Sequence, residues 1–123
     1  MKDRIEEFEI DGKPFVHIDM SMLESRAELG EVAKMVGDVV SKHPEGSLYI
    51  ITNIAEFWLD SEAEAFFEQC IEHNVKYAKA CAVTGIDGIK KLMVSSAAKR
   101  AGHSRIYFTF TKERAIECML ADD

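Results

Sequence analysis

Ser47-Leu48-Tyr49-Ile50-Ile51-Thr52 is a continuous apolar and β-branched run, with Pro44 and Gly46 just ahead of it. A strand with no polar face is expected where both sides of a sheet are covered, as in the middle of a parallel sheet. The segments on either side of this run are helical in pattern. Upstream, Ser25-Arg26-Ala27-Glu28 has the S-x-x-E form of a capping box. It opens a helix predicted to reach about Lys42, with Leu29, Val32, Ala33, Val36, Val39 and Val40 as one apolar stripe. Downstream, Ser61-Glu62-Ala63-Glu64 repeats the box and opens a helix carrying Ala63, Phe66, Phe67, Cys70 and Ile71 on one face. Asn74 suits a left-handed exit from it.

The alternation continues outward. Tyr77 to Val83, centred on Ala80-Cys81-Ala82-Val83, reads as a second buried strand, whose small residues let a helix pack closely. Gly85-Ile86-Asp87-Gly88 turns the chain with Asp87 as N-cap, and Ile89, Leu92, Met93, Ser96 and Ala97 form the next helical stripe, closed by Gly102. Arg105 to Phe110 alternates as a last strand, and Thr111 caps a final helix burying Ala115, Ile116, Met119 and Leu120. At the N-terminal side, Arg4 to Ile10 and Phe15 to Asp19 form a hairpin around Asp11-Gly12, a pair that supplies the positive φ of a tight turn. The order is β-β-α-β-α-β-α-β-α. Strands joined through helices imply right-handed crossovers and a mixed, mostly parallel sheet, with the hairpin as an antiparallel edge. No linker or repeat divides residues 1–123, so one α/β domain is expected.

Composition limits the function. The 123 residues are 47% hydrophobic and 30% charged, with a formal charge of −7. A net-acidic chain is poorly suited to counterion release from nucleic acid. No apolar run reaches the roughly 18 residues of a membrane span, and Met1-Lys2-Asp3-Arg4 leads into no signal-peptide core. A cytoplasmic protein that does not span the membrane is the expectation. Cys70, Cys81 and Cys118 form no metal-ligand spacing and read as small buried hydrophobes. The histidines are dispersed; His17 and Asp19 share one strand face, but no third ligand or nucleophile joins them. No metal, cofactor or catalytic set is expected. Charge is asymmetric: residues 1–70 hold sixteen acids against six bases, whereas residues 71–123 hold six acids against nine bases. This asymmetry and the open hairpin edge make a homodimer plausible.

The stretch from Ala80 to Leu120 resembles the C-terminal half of the SpoIIAA-like proteins, the STAS/SEC14-type domains. The resemblance lies in the apolar strand, the Gly85-Ile86-Asp87-Gly88-Ile89-Lys90-Lys91 turn into a helix, the aromatic strand Ile106-Tyr107-Phe108, and the Glu113-to-Leu120 helix. It implies a STAS-like mixed sheet and a non-enzymatic regulatory or protein-interaction module. Relatives that antagonise anti-sigma factors carry a D-S-[ST]-G phosphorylation motif, to which Asp60-Ser61-Glu62-Ala63 is the nearest counterpart. Glu62 stands at the acceptor position, and Ser61 reads as an N-cap. The lipid-carrying branch suggests an alternative, a carrier or binder of a small lipophilic or anionic ligand, with Trp58, Phe66, Phe67 and Met93 as lining.

The candidate surface for partner or ligand comprises Phe57, Trp58, Ser61, Glu62, Gly85, Asp87, Gly88 and Lys90. Phe57 and Trp58 follow the central strand at its carboxyl end, where open α/β sheets bind ligands. Gly85 to Lys90 opens a helix whose free N–H groups suit an anion such as a nucleotide phosphate. A protein partner is the leading expectation, without nucleic acid, and with no cluster of perturbed titratable groups.

Overall fold

The computed structural model describes residues 4–23, 25–56, 61–86, 88–100, 102 and 105–122, without the side chains of 61, 63, 64, 88–90 and 93. The elements are β1 (Ile5–Ile10), β2 (Lys13–Asp19), α1 (Arg26–Val40), β3 (Leu48–Asn53), α2 (Ser61–Asn74), β4 (Ala78–Thr84), α3 (Gly88–Arg100), β5 (Ile106–Thr109) and α4 (Lys112–Ala121). The sheet runs β1-β2-β3-β4-β5. β1 pairs antiparallel with β2, and the remaining pairings are parallel. The hairpin turns on Asp11 at φ 53° and Gly12 at φ 77°, two successive positive φ values whose twist matches that of the strands they join.

A sheet in sequential order, crossed over with one hand, collects its crossover helices on one face. α1 (Leu29, Val32, Val36, Val40), α2 (Phe67) and α3 (Val94) accordingly share a core with Val16, Ile18, Leu48, Ile50 and Val83. α4 takes the opposite face. There Ala115 and Met119 pack on Phe15, Tyr49, Ile51, Ala80 and Ala82. β3 is therefore covered on both sides, with Leu48, Tyr49, Ile50 and Ile51 all buried. On the α4 face, Phe8, Phe15 and Tyr49 stand in register across three strands, with ring centroids 5.3 and 4.8 Å apart. Arg105 and Tyr107 hold the far end of α4. Arg105 Nη2 donates to the Met119 carbonyl at 2.6 Å, and the Tyr107 hydroxyl donates to Asp122.

Several details depart from the sequence reading. α1 ends at Val40 rather than near Lys42; Ser41 N closes it on Gly37 O, and turn bonds follow from Lys42 N to Val39 O and from His43 N to Val40 O. Its cap is as expected, with Ser25 Oγ accepting from Glu28 N at 3.2 Å. Asn74 is not among the positive-φ residues. The chain leaves α2 instead through a tight turn closed by Tyr77 N to Asn74 O at 3.0 Å. α3 buries Val94, Ala97 and Ala98, while Leu92 is 72% exposed and Ser96 faces solvent. Apolar residues are spread around this helix, so its own pattern did not set which side turned inward; packing against α2 and the sheet did. β5 stops at Thr109, and Phe110 leaves the sheet at 91% exposure. No described helix is long and apolar enough to cross a membrane.

Candidate functional site

Each parallel strand ends on a polar residue, and sheet register puts these ends level. Asp19 pairs with Asn53, Asn53 with Thr84, and Thr84 with Thr109. By the two-residue period of a strand, this row lies on the α4 face, one step beyond His17, Ile51, Ala82 and Tyr107. The polar ends turn the chain out of the sheet. Asp19 Oδ1 accepts from Ser21 N at 2.9 Å and from Ser21 Oγ at 2.5 Å. Asn53 Oδ1 accepts from Ala55 N at 3.0 Å, and Thr109 Oγ1 donates to the Thr111 carbonyl at 2.9 Å. Short polar side chains that bond their own backbone two residues on are natural turn formers.

The loops are also tied to one another. Met20 N donates to Asn53 O at 2.8 Å, Met22 N to Ala55 O at 3.1 Å, and Ile54 N to Thr84 O at 2.9 Å. Arg4 Nη1 donates to the carbonyls of Asp19 and Ser21 at 3.0 and 2.9 Å. Gly85 adopts φ +73°, and a Cβ there would stand 2.7 Å from Ala55 Cβ, Ala55 N and Asn53 Oδ1. The carboxyl rim of the sheet is thus a stitched platform. From it Met22, at φ 61° and 61% exposed, and Phe110 project into solvent.

The anticipated site residues fall unevenly on this platform. Gly85 sits at its centre, against the start of the segment that follows β3. Glu62 is exposed on the first turn of α2 and forms an ion pair with Arg26 of α1. The residue at the acceptor position of the motif is therefore partnered by a cation of the neighbouring helix. Ser61 is the first residue of α2, within the helix and not ahead of it as an N-cap; its side chain lies outside the described residues. Gly88 and Lys90 are in the first turn of α3, and the Lys90 side chain lies outside the description too. Phe57, Trp58 and Asp87 lie outside the described residues altogether.

One cluster corrects the expectation that titratable groups would stay unperturbed. Lys112 Nζ, at the start of α4, binds Glu6 Oε1 at 2.6 Å and lies 4.8 Å from the Phe8 ring centroid. Glu6 pairs in register with His17. The Lys112 hydrogen bond holds the Glu6 carboxyl below its ordinary range. Burial, aided by the Lys112 charge, lowers the His17 pKa against the opposing pull of Asp19, Glu6 and Glu113. Asp19 and His17 share the expected face, yet no hydrogen bond joins them among the described residues; Asp19 Oδ1 takes both its bonds from Ser21. Also among the described residues, no group of three or more His, Cys, Asp or Glu side chains is placed to hold a metal ion.

The His17 shift has a measurable consequence. The unfolded chain binds the His17 proton more readily than the folded one, so this residue favours folding above the ordinary histidine pKa of about 6.5. Stability is expected to fall as pH drops from there through the lower folded pKa. Urea unfolding of His17→Gln at pH 7.5 and 5.5 checks it: the variant should lose less stability than the parent over that interval. An unchanged pH dependence would remove His17 as its source.

Hollows lie on the other face, between α1 and α2. A groove of about 330 Å³ is lined by Arg26, Leu29, Glu62, Ala65, Phe66 and Gln69. Beneath the helices is an apolar cavity of about 60 Å³ against the sheet, with Phe67 in its wall. Sequence reasoning named Phe66 and Phe67 as lining but did not place a hollow there. It missed the level polar row as well, although each strand's final residue was in view. Only the register shows that the four ends coincide. Comparison with family models, with curated proteins and with solved structures finds no match to this chain.

Proposed function

We propose that this chain is a non-enzymatic, STAS-like regulatory or protein-interaction module that binds a protein partner at the carboxyl rim of its sheet. The observation that carries the reading is the display of Met22 and Phe110, 61% and 91% exposed, just past the carboxyl ends of β2 and β5, with the Met22 loop bonded to the segment after β3. Burying a large apolar side chain contributes about 1.5–3 kcal/mol, and the fold leaves that contribution unused at both positions. Rigid presentation lowers the ordering cost of association, and aromatic side chains are frequent anchors of interfaces. Asp19, Asn53 and Thr109 of the rim are committed to turns, and Lys112 is committed to Glu6. This supports a surface that holds a partner over one that transforms a substrate.

The test is capture of a cross-linked partner by the parent chain and by a double variant, Met22→Ser with Phe110→Ser. Both positions are exposed, so the variant should keep its circular dichroism and thermal midpoint while capture drops by about tenfold or more. Equal capture by the two chains would refute the reading. A second reading, a binder of a small lipophilic ligand, is favoured by a separate observation, the apolar cavity under α1 and α2.

A further inference from the structure

We infer that the outer edge of β5 receives one extended, acidic strand from a partner protein, which adds to the sheet beside β5. The inference goes beyond the rim reading and does not rest on it: it uses the backbone of β5, not the Met22 and Phe110 side chains. Its first support is the direction of the hydrogen-bonding groups. β5 is the last strand of the sheet and pairs with β4 on one side. Cys81 stands opposite Ile106 in register, and its N–H goes to the Arg105 carbonyl at 3.0 Å. In a parallel pair such a residue bonds the two residues that flank its opposite number. Arg105 and Tyr107 therefore aim their peptide groups at β4. Ile106 and Phe108 aim theirs outward, where no described strand meets them. Such a row is a template for a further strand.

The second support is the contrast between the two edges. β1 carries three exposed acids, Glu6, Glu7 and Glu9, among its six residues, and that charge repels an acidic strand. β5 is Ile-Tyr-Phe-Thr, without charge. It lies inside the stretch 88–112, which holds six Lys and Arg and no Asp or Glu, although the chain has 22 acids. An acidic strand is attracted at one edge and turned away at the other.

The third support is the difference between the two faces beside β5. Ile106 and Phe108 pack on the core shared by α1, α2 and α3. There the exposed Lys91 of α3 holds its Nζ 5.4 Å from the Phe108 ring centroid. Arg100 leaves the same helix toward α2, where it binds Glu68 at 2.9 Å, so Lys91 marks the flank of α3 that looks over β5. A carboxylate beside Phe108 meets this ammonium. Tyr107 belongs to the opposite face. Its hydroxyl accepts from Arg105 Nε at 3.0 Å and donates to Asp122. A guest acid on that face would meet the Asp122 carboxylate, with the guanidinium already engaged by Tyr107 and the Met119 carbonyl. The guest therefore carries acids toward α3 and uncharged residues toward α4, in the two-residue period of a strand. Four residues make a short edge, which discourages stacking of strand on strand and leaves these charge contacts to choose the guest.

Two end-capped hexapeptides test this, one alternating Glu with Val and one alternating Lys with Val. In amide NMR titrations of the full chain, the Glu peptide should saturably shift the resonances of Ile106 to Thr109 and leave those of Ile5 to Ile10 in place. It should bind about fivefold more tightly than the Lys peptide, the size of one exposed charge pair, and the difference should shrink as salt is raised. Lys91→Glu, at an exposed position, should reverse the preference. Ile106→Pro removes an outward N–H without touching the β4 ladder and should abolish binding. Should that variant fail to fold, a Glu peptide N-methylated at alternate residues removes the same bonds from the guest side, and it should not bind the parent chain. Equal affinities of the two peptides would overturn the acidic guest, and saturable shifts at β1 or none at β5 would overturn the edge. Dimerisation of the chain through β5 that excludes the Glu peptide would give the edge to a second copy and overturn the inference as well. None of these results bears on the rim, which the Met22 and Phe110 variants read separately.

Discussion

Gly85→Ala is expected to lower stability by about 2–5 kcal/mol. Left-handed backbone costs an alanine about 1–2 kcal/mol, and Gly85 sits at φ +73°. The new methyl would also stand 2.7 Å from Ala55 Cβ, Ala55 N and Asn53 Oδ1. Two of these atoms belong to the turn that begins the segment after β3, so relief requires moving that turn, at a further cost of about 1–3 kcal/mol. Gly12 supplies the control. It has φ +77° but nothing within 4 Å of a Cβ, so Gly12→Ala should show the backbone cost alone. Urea unfolding of both variants separates the two effects. Losses of the same size would mean that the close approach at Gly85 contributes nothing. If the approach is real, Gly85→Ala should also weaken partner capture at the rim, because the displaced turn bonds Met22 N through the Ala55 carbonyl.

Phe15→Ala is expected to cost more, about 3–5 kcal/mol. Phe15 is 1% exposed and is the middle ring of the Phe8–Phe15–Tyr49 ladder, stacked on both neighbours at interplanar angles of 14° and 20°. Its removal leaves a void beneath Ala115 and Met119 and breaks two aromatic contacts, each worth about 0.5–1.5 kcal/mol beyond the area buried. The urea midpoint should fall with an unchanged m-value. Phe8→Ala, on the edge strand with its ring only partly buried, should cost less. The reverse ranking would show that the ladder is anchored at the edge and not at β2.

Much of the architecture was legible along the chain because it follows from local chemistry. Asp11-Gly12 supplied the hairpin turn, Ser25 the cap of α1, and the apolar run from Leu48 to Ile51 the doubly covered strand. Each depends on residues within one turn or one strand. Where local preferences were balanced, the reading failed. The stripe on α3 had competing sides, and the one containing Val94, Ala97 and Ala98 was buried while Leu92 was left in water. Asn74 could have ended its helix left-handed; instead the chain leaves through the turn closed by Tyr77 N on Asn74 O.

The candidate sites divide along the same line. Gly85 was recognisable because glycine after a buried strand marks a conformation other residues resist, and the structure places it at the centre of the rim. Glu62 was recognisable as a helix-start acid, but its pairing with Arg26 joins positions far apart in the chain. The Glu6–Lys112 bond spans nearly the whole molecule and has no local trace.

From the amino-acid order alone came the alternation of strands and helices, the caps and turns, and the mixed, mostly parallel sheet, because backbone preference and side-chain period act over a few residues. Tertiary structure alone decided that Asp19, Asn53, Thr84 and Thr109 end level, and that Lys112 meets Glu6. It also decided that Asn74 of α2 and Ile18 of β2 line one hollow. Those are facts of register and packing between distant segments, set by the joint burial of two sheet faces.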